Sequence, residues 1–400
     1  MNLEINPKII LVSIIRNESV IIRRCLNSVK HLVSAYCICD TGSTDNTIDI
    51  LREYHDEIAQ THPVHIAQHE WRNFGYNRSL SFTECQNWIH NEVGWDLTDC
   101  WAVFIDADMI LCIEKMDVLR NLLANSKKSN IPEIPYFQLQ QRNRDLIYWN
   151  TRIVCLAQNW ECLGVTHEYW TCSNAPNVIK IASDILWIND QNDGGCKADK
   201  YERDARLLEE GIINPETPEI LQTRYYFYLA QTYMAINQYS KAIINYDKRI
   251  EKGAWIEEVW YCHYQKYKIT RDHTDLWKSV ELIPNRIESI YYHLKNKRMR
   301  GEKYTQEDYG LGAIGYSALC KRIENGKKIN NKNPVYLFME YDVYDWSFLD
   351  EFSIAAYYTD HKEEGKEAIE QILTLPINIK NNILPKNMKR IMNNFIFFNQ

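Results

Sequence analysis

The sequence predicts an α/β domain built on a mostly parallel sheet, followed by an all-α array of paired helices. Three observations carry this. Apolar, β-rich runs alternate with helix-periodic stretches through the first half of the chain. Polar clusters begin where two of those runs end, at Asp40 and Asp106. Beyond about residue 205 the strand pattern stops, and aromatic and small residues recur at helical spacing.

Ile9-Ile-Leu-Val-Ser-Ile-Ile15 is continuously apolar, as a strand covered on both faces must be. Ile21, Ile22, Cys25, Leu26, Val29 and Val33 then follow a helical period within Val20–Val33. Tyr36-Cys-Ile-Cys39 is a second strand, closed by Asp40-Thr-Gly-Ser-Thr-Asp-Asn46, with Asp45 or Asn46 suited to cap a helix from Thr47 to Tyr54. Val64–Gln68 reads as a third strand and Leu80–Ile89 as a helix. Trp101–Ile105 is a fourth buried strand, ending in Asp106-Ala-Asp108. Sheets of this type bind ligands at the carboxyl ends of their strands, where both polar clusters stand. The helical ladder is clearest in Tyr226, Leu229, Ala230, Tyr233, Tyr239, Ala242 and Tyr246. Five further helical stretches follow, Ile256–Ile269, Arg286–Lys295, Tyr309–Arg322, Ser347–Tyr358 and Glu364–Leu373. Such pairs bury their apolar faces only against neighbours, which favours one packed superhelix. With 400 residues two domains are expected, here 1–205 and 206–400, with the linker in Gln191–Lys200 where Asp193-Gly-Gly195 breaks the pattern.

A net charge of −7 and the lack of any Lys/Arg block argue against a nucleic-acid partner. Twelve scattered cysteines without a C-x-x-C pair argue against structural zinc and suit a reducing compartment. The run Ile9–Ile15 is too short for a signal peptide or a transmembrane segment, so a cytoplasmic location is expected, in the host cell if the source is viral.

Two carboxylates flanking one small residue at a strand end, as in Asp106-Ala-Asp108, can share Mn2+ or Mg2+, which would also hold a diphosphate. They also suit an ordinary solvated turn. The Asp40 carboxylate can accept a uracil N3–H or a ribose hydroxyl, while Gly42 lets the backbone turn tightly. An Asx-turn with an N-cap explains the same residues, and such a turn leaves the Asp40 carboxylate unoccupied.

Together these stretches resemble the family-2 inverting glycosyltransferases of the GT-A (Rossmann-like) fold. The matching residues are Ile15-Arg-Asn-Glu-Ser19 with Arg24-Cys-Leu-Asn-Ser28, Asp40-Thr-Gly-Ser-Thr-Asp45, Phe74 with Asn77-Arg-Ser79, and Asp106-Ala-Asp108. Trp160–Tyr169, Asp193–Lys197 with Arg203-Asp204, Phe227-Tyr-Leu-Ala-Gln231, Gly253–Glu258 and Asp350–Ile354 extend the similarity to a subgroup with a tetratricopeptide-like tail. The resemblance implies a metal-dependent inverting transfer from a nucleotide-sugar donor, UDP favoured, to a glycan, protein or small-molecule acceptor. It implies that Asp40 binds the nucleoside, with Asn17 and Glu18 in the same pocket. Arg78 would contact the nucleotide or its diphosphate, Asp108 the metal, and Asp106 the ribose or the metal. Glu168 stands where relatives carry the acceptor-side base, and His167 beside it is a metal ligand, an orienting group or a structural residue. Asp190 stands where many relatives place a metal-binding His. Lys197 and Arg203 are phosphate candidates, or solvated helix charges. A homodimer through the helical domain is compatible with this layout. Two other classes compete: a tetratricopeptide scaffold with an inactive GT-A domain, and a nucleotidyltransferase. The second would want a glycine-rich loop where Arg16-Asn-Glu-Ser19 stands.

Overall fold

The computed structural model describes residues 7–126, 136–143, 146–173, 177–195, 199–326 and 334–399. The chain divides into two compact units, Met1–Leu221 and Gln222–Gln400. The expected boundary after residue 205 instead falls inside a helix that belongs to the first unit.

In the first unit, β1 (Lys8–Ile15), β2 (Ala35–Asp40), β3 (Val64–Gln68) and β4 (Cys100–Phe104) are parallel, in spatial order β3-β2-β1-β4. β1 explains why a continuous apolar run was required. Ile9 and Leu11 enter one core while Ile10 and Val12 enter the other, so both faces are covered. The first core takes α1 (Ile22–Val29) and α2 (Thr47–Ile58) through Leu26, Val29, Leu51 and Tyr54. The second takes α3 (Phe74–Trp88) through Phe82, Cys85 and Trp88.

Most of the rest of this unit was not legible in the sequence. It comprises β5 (Met109–Ile113), α4 (Met116–Asn125), β6 (Tyr136–Asn143), β7 (Leu146–Cys155), β8 (Trp160–Leu163), β9 (Tyr169–Cys172), β10 (Val178–Lys180) and β11 (Leu186–Asp190). Here the order continues β4-β7-β6-β11-β5, with β4–β7, β7–β6 and β11–β5 antiparallel and β10 beside β6. β8 and β9 form a separate hairpin. α5 (Lys200–Ile213) completes the unit, and its Arg203 guanidinium lies 5.5 Å from the Phe74 ring of α3.

The second unit is helical. Its elements are α6 (Glu219–Ala235), α7 (Tyr239–Lys252), α8 (Ile256–Thr270), α9 (His273–Leu282), α10 (Glu288–Arg300), α11 (Gln306–Gly326), α12 (Phe348–Tyr357), α13 (Lys362–Leu373), α14 (Ile377–Lys380) and α15 (Pro385–Phe398). Leu229, Ala230, Tyr233, Ala242 and Tyr246 of the predicted ladder are buried. Tyr239 departs from it: 46% exposed, it opens α7 and hydrogen-bonds the Asn237 carboxamide, its ring lying outside the core.

Candidate active site

At the carboxyl ends of β1 and β4 lies a cavity of about 370 Å³. Its floor is the strand-end sequence Asp106-Ala-Asp108, and Glu18, Arg78, Glu168 and Asp190 also line it. Chain direction brings them together, because the parallel register sets Ile15 beside Asp40 and Val12 beside Phe104.

Arg78 is the hinge of the site. It projects from α3, only 12% of its side chain is exposed, and it ties two carboxylates that are distant in sequence. Nε donates to Glu168 Oε1 at 2.7 Å and Nη2 reaches Asp106 Oδ1 at 2.8 Å. Burial works against its charge, but Asp106 and Glu168 outweigh that and hold the guanidinium above its ordinary pKa. Asp106 is claimed from its other side by Arg152, whose Nη1 stands 3.4 Å from Oδ2. Burial would raise the Asp106 pKa, yet the two arginines keep it below its usual value. Arg152 Nη2 donates to Gln141 Oε1 at 2.8 Å, and Gln141 Nε2 donates to Asp190 Oδ2 at 2.9 Å. A chain of polar contacts therefore runs Glu168–Arg78–Asp106–Arg152–Gln141–Asp190 across the cavity floor.

Glu168 is aimed by a tight turn. Gly164 and His167 have φ of 115° and 51°, and the carbonyls of Gly164 and Val165 accept from the amides of Gly75 and Phe74 at the start of α3. A β-carbon on Gly75 would collide with the Gly164 carbonyl, so this clamp needs glycine. α3 thus supplies both the arginine that pairs with Glu168 and the surface that holds its turn.

Several expectations need correction. The Asp40 carboxylate is not unoccupied: it is 1% exposed and accepts from the amides of Gly42 and Ser43, and Thr41 lines the cavity in its stead. The Asn17 carboxamide is also engaged, accepting from the Thr44 amide at 2.7 Å to hold the same loop. His167 is exposed and is not among the cavity-lining residues, because the turn that points Glu168 inward points its neighbour away. Among the described residues, no three His, Cys, Asp or Glu side chains form a ready-made cation cage. The expected trio fails as a cage because Asp106 faces two arginines and Asp190 is held by Gln141 and the Asn192 amide. Lys197 lies outside the described residues.

The supposed linker is part of the site. Arg24 grips Asp193 through two hydrogen bonds of 2.7 and 2.6 Å, and the Gly195 amide donates to Glu18 Oε2 at 3.0 Å. A β-carbon on Gly194 would meet Glu18 Oε1 at 3.2 Å and Asp108 Oδ2 at 3.4 Å, so both carboxylates lie against this glycine.

The model of glycosyl transferase family 2 matches residues 11–173. This part of the chain is similar to family-2 glycosyltransferase domains. It includes Asp106, Asp108, Arg78, Arg152 and Glu168, whereas Asp190, Lys200 and Arg203 line the same cavity from beyond the matched residues. Over 104 residues the chain is 35% identical to the SPbeta prophage-derived glycosyltransferase SunS of Bacillus subtilis (strain 168), covering 26% of this chain and 20% of that protein. The chain therefore spans about a fifth of the length of the curated relatives it matches. A mannosyltransferase from Pyrobaculum calidifontis in complex with GDP-Man and Mn2+ is similar over 69% of this chain and 84% of its own, at 11% identity and TM-score 0.35. A Podosopora anserina kinesin light chain structure with TPR-like repeats is similar over 46% of this chain and 90% of its own, at 16% identity and TM-score 0.30. The first unit is a mixed sheet with helices on both faces, and the second is a run of consecutive helices.

Sequence reasoning missed Arg152, Gln141, Tyr148, Trp71, Trp170 and Lys200, all of which line the cavity. Arg152 left one signal: a single charge running into the apolar stretch Ile153-Val-Cys-Leu156. The three aromatics left none, because aromatic residues are plentiful throughout this chain.

Proposed function

We propose that the chain transfers a sugar from a nucleoside-diphosphate donor to a nucleophilic acceptor with inversion at the anomeric carbon. The observation that carries this is the pairing of Arg78 with both Glu168 and Asp106 at the strand-end cavity of a domain similar to family 2. The acceptor's heteroatom forms a bond to C1 as the C1–oxygen bond to the diphosphate breaks. The bonding pair leaves with the diphosphate, and the acceptor proton goes to Glu168. Arg16, Lys200 and Arg203 line the same cavity and supply charge for a diphosphate. Asp40 shapes the nucleoside side by holding its turn, and Trp71, Phe74 and Trp170 give the acceptor side an aromatic wall.

The donor set suits a hard divalent cation, Mn2+ or Mg2+. Glu18 and Asp108 offer only oxygen and both lie against Gly194, and Asp190 lines the same cavity. Such ions are held by one or two carboxylates together with substrate phosphates, so a complete protein cage is not required. Asp108 with Glu18 would hold the ion, which when bound would neutralise charge on the leaving diphosphate. UDP is the favoured nucleotide. A thermal-shift panel of nucleotide sugars with and without Mn2+ tests the reading. A ligand at a hundred times its Kd adds about 2.7 kcal/mol of stability. If no nucleotide or nucleotide sugar shifts the transition under any metal condition, the reading is lost.

A further inference from the structure

Residues 371–400 contain Lys380, Lys386, Lys389 and Arg390 and no Asp or Glu, in a chain of net charge −7. Within them, α15 is apolar on two sides. Its inner side packs Ile391, Met388, Phe395 and Phe398 on the helical core, and the Phe398 ring meets Tyr357 edge-on at 5.2 Å. Arg390 pairs with the buried Asp350 of α12. The outer side is fixed in place by that packing. It carries Lys386, Lys389, Met392, Asn393, Ile396 and Phe397, whose spacing of three, three, one, three and one places them on one helical face. Met392, Ile396 and Phe397 are 57%, 55% and 53% exposed, and Leu384 just ahead of the helix is 55% exposed. A helix apolar on both sides has something covering its outer side.

We infer that this outer face of α15 docks onto an anionic lipid surface. The charge pattern selects that occupant. Lys386 and Lys389 stand on this face with no carboxylate in residues 371–400 to neutralise them. Anionic headgroups neutralise both, while the lysine stems lie along the apolar side chains and carry their ammonium groups to the headgroup level. Among the described residues no helix is long and apolar enough to cross a membrane, so the attachment is peripheral. This inference is independent of the reaction proposed for the first unit.

The test is co-sedimentation of the full chain with vesicles of phosphatidylcholine alone or mixed with phosphatidylserine. The chain should bind the mixed vesicles, bind the neutral ones at least about tenfold more weakly, and detach as salt is raised. The double variant Ile396→Glu/Phe397→Glu, and separately Lys386→Glu/Lys389→Glu, should each lower binding to mixed vesicles by about tenfold or more. Both pairs are surface residues, so an unchanged thermal transition confirms that each variant is folded. Failure to bind mixed vesicles, or equal binding by either folded variant, overturns the inference. A concentration-dependent dimer in light scattering that Ile396→Glu/Phe397→Glu converts to monomer also overturns it, and assigns the face to a second copy.

Discussion

Both units bury charged side chains, but they use them differently. In the first unit the ions converge on a cavity: Arg78 and Arg152 share Asp106, and Arg78 also holds Glu168. In the helical unit the ions tie helix to helix. Arg249 of α7 bonds Glu258 of α8 at 2.8 Å, and Arg298 of α10 bonds Glu351 of α12 at 2.7 Å. His293 of α10 sits between Tyr267 and Asp308, with both contacts at 2.6 Å. None of these borders the cavity. The lesson is that burial of charge does not by itself mark function. A charge is a candidate for chemistry when its partners leave it facing space that a ligand can fill.

Substitutions should therefore separate the units cleanly. The largest effect is expected from Glu168→Gln, which keeps the shape and the contact with Arg78 but cannot take up a proton. Transfer should fall by roughly 10²–10⁴-fold in single-turnover measurements, with donor affinity near wild type. Undiminished transfer would remove Glu168 as the base and turn attention to Asp190. The helical counterpart is Arg249→Met, which strands the 5%-exposed Glu258 side chain without its cation. Urea unfolding should show a loss of about 3–5 kcal/mol, with nucleotide affinity unchanged. If Arg249→Met weakened nucleotide binding as much as stability, the division between the two kinds of buried charge would be wrong. Asp108→Ala should do the reverse. It should abolish the metal-dependent part of the nucleotide-induced thermal shift, up to about 2.7 kcal/mol with ligand at a hundred times its Kd, and leave the ligand-free transition in place.

The parts of this contrast that sequence revealed are those with local signatures. β1, β2 and β4 announced themselves through apolar runs buried on both faces, and Asp106-Ala-Asp108 through its place at a strand end. The antiparallel half did not. β6 alternates half-buried Gln138 and Gln140 with buried Phe137 and Leu139, and β7 begins exposed at Leu146 and Ile147, so neither offers a continuous apolar run. Long-range pairing was equally hidden. Nothing near Arg78 in the chain indicates that it lies between Asp106 and Glu168, and nothing near Asp193 indicates that Arg24 holds it. That second omission made a cavity wall look like a linker. Protease cleavage at Asp193–Lys200, expected of a linker, should therefore slow when a nucleotude-sugar donor fills the cavity beside Gly194. The Asp40 turn shows a subtler failure: a buried carboxylate looks available to a ligand until its backbone amide partners are seen.

The smallest expected effect tests whether a tie in the helical unit is stabilising at all pH values. Asp350 of α12 is 1% exposed. Burial pushes its pKa up from the usual 3.8 to about 6; Glu351 adds to the rise, and Arg390 opposes it. A carboxyl group with a raised folded-state pKa binds its proton more tightly in the folded chain than in the unfolded one. Its contribution is thus fully present below about pH 4, fades as pH rises towards 6, and is absent above that. A rise of this size corresponds to at most about 3 kcal/mol, since one pKa unit is about 1.4 kcal/mol. Asp350→Asn cannot titrate, yet its carboxamide oxygen can still accept from Arg390. Urea unfolding of wild type and variant at steps between pH 4 and 7 isolates this group, because every other carboxylate titrates in both proteins. The stability of wild type relative to Asp350→Asn should fall as pH rises through this range, by about 1–3 kcal/mol in total. A difference that stays flat with pH would mean that Arg390 fully compensates the burial of Asp350. A difference that grows in favour of wild type with pH would reverse the sign and make this pair a true stabilising bridge.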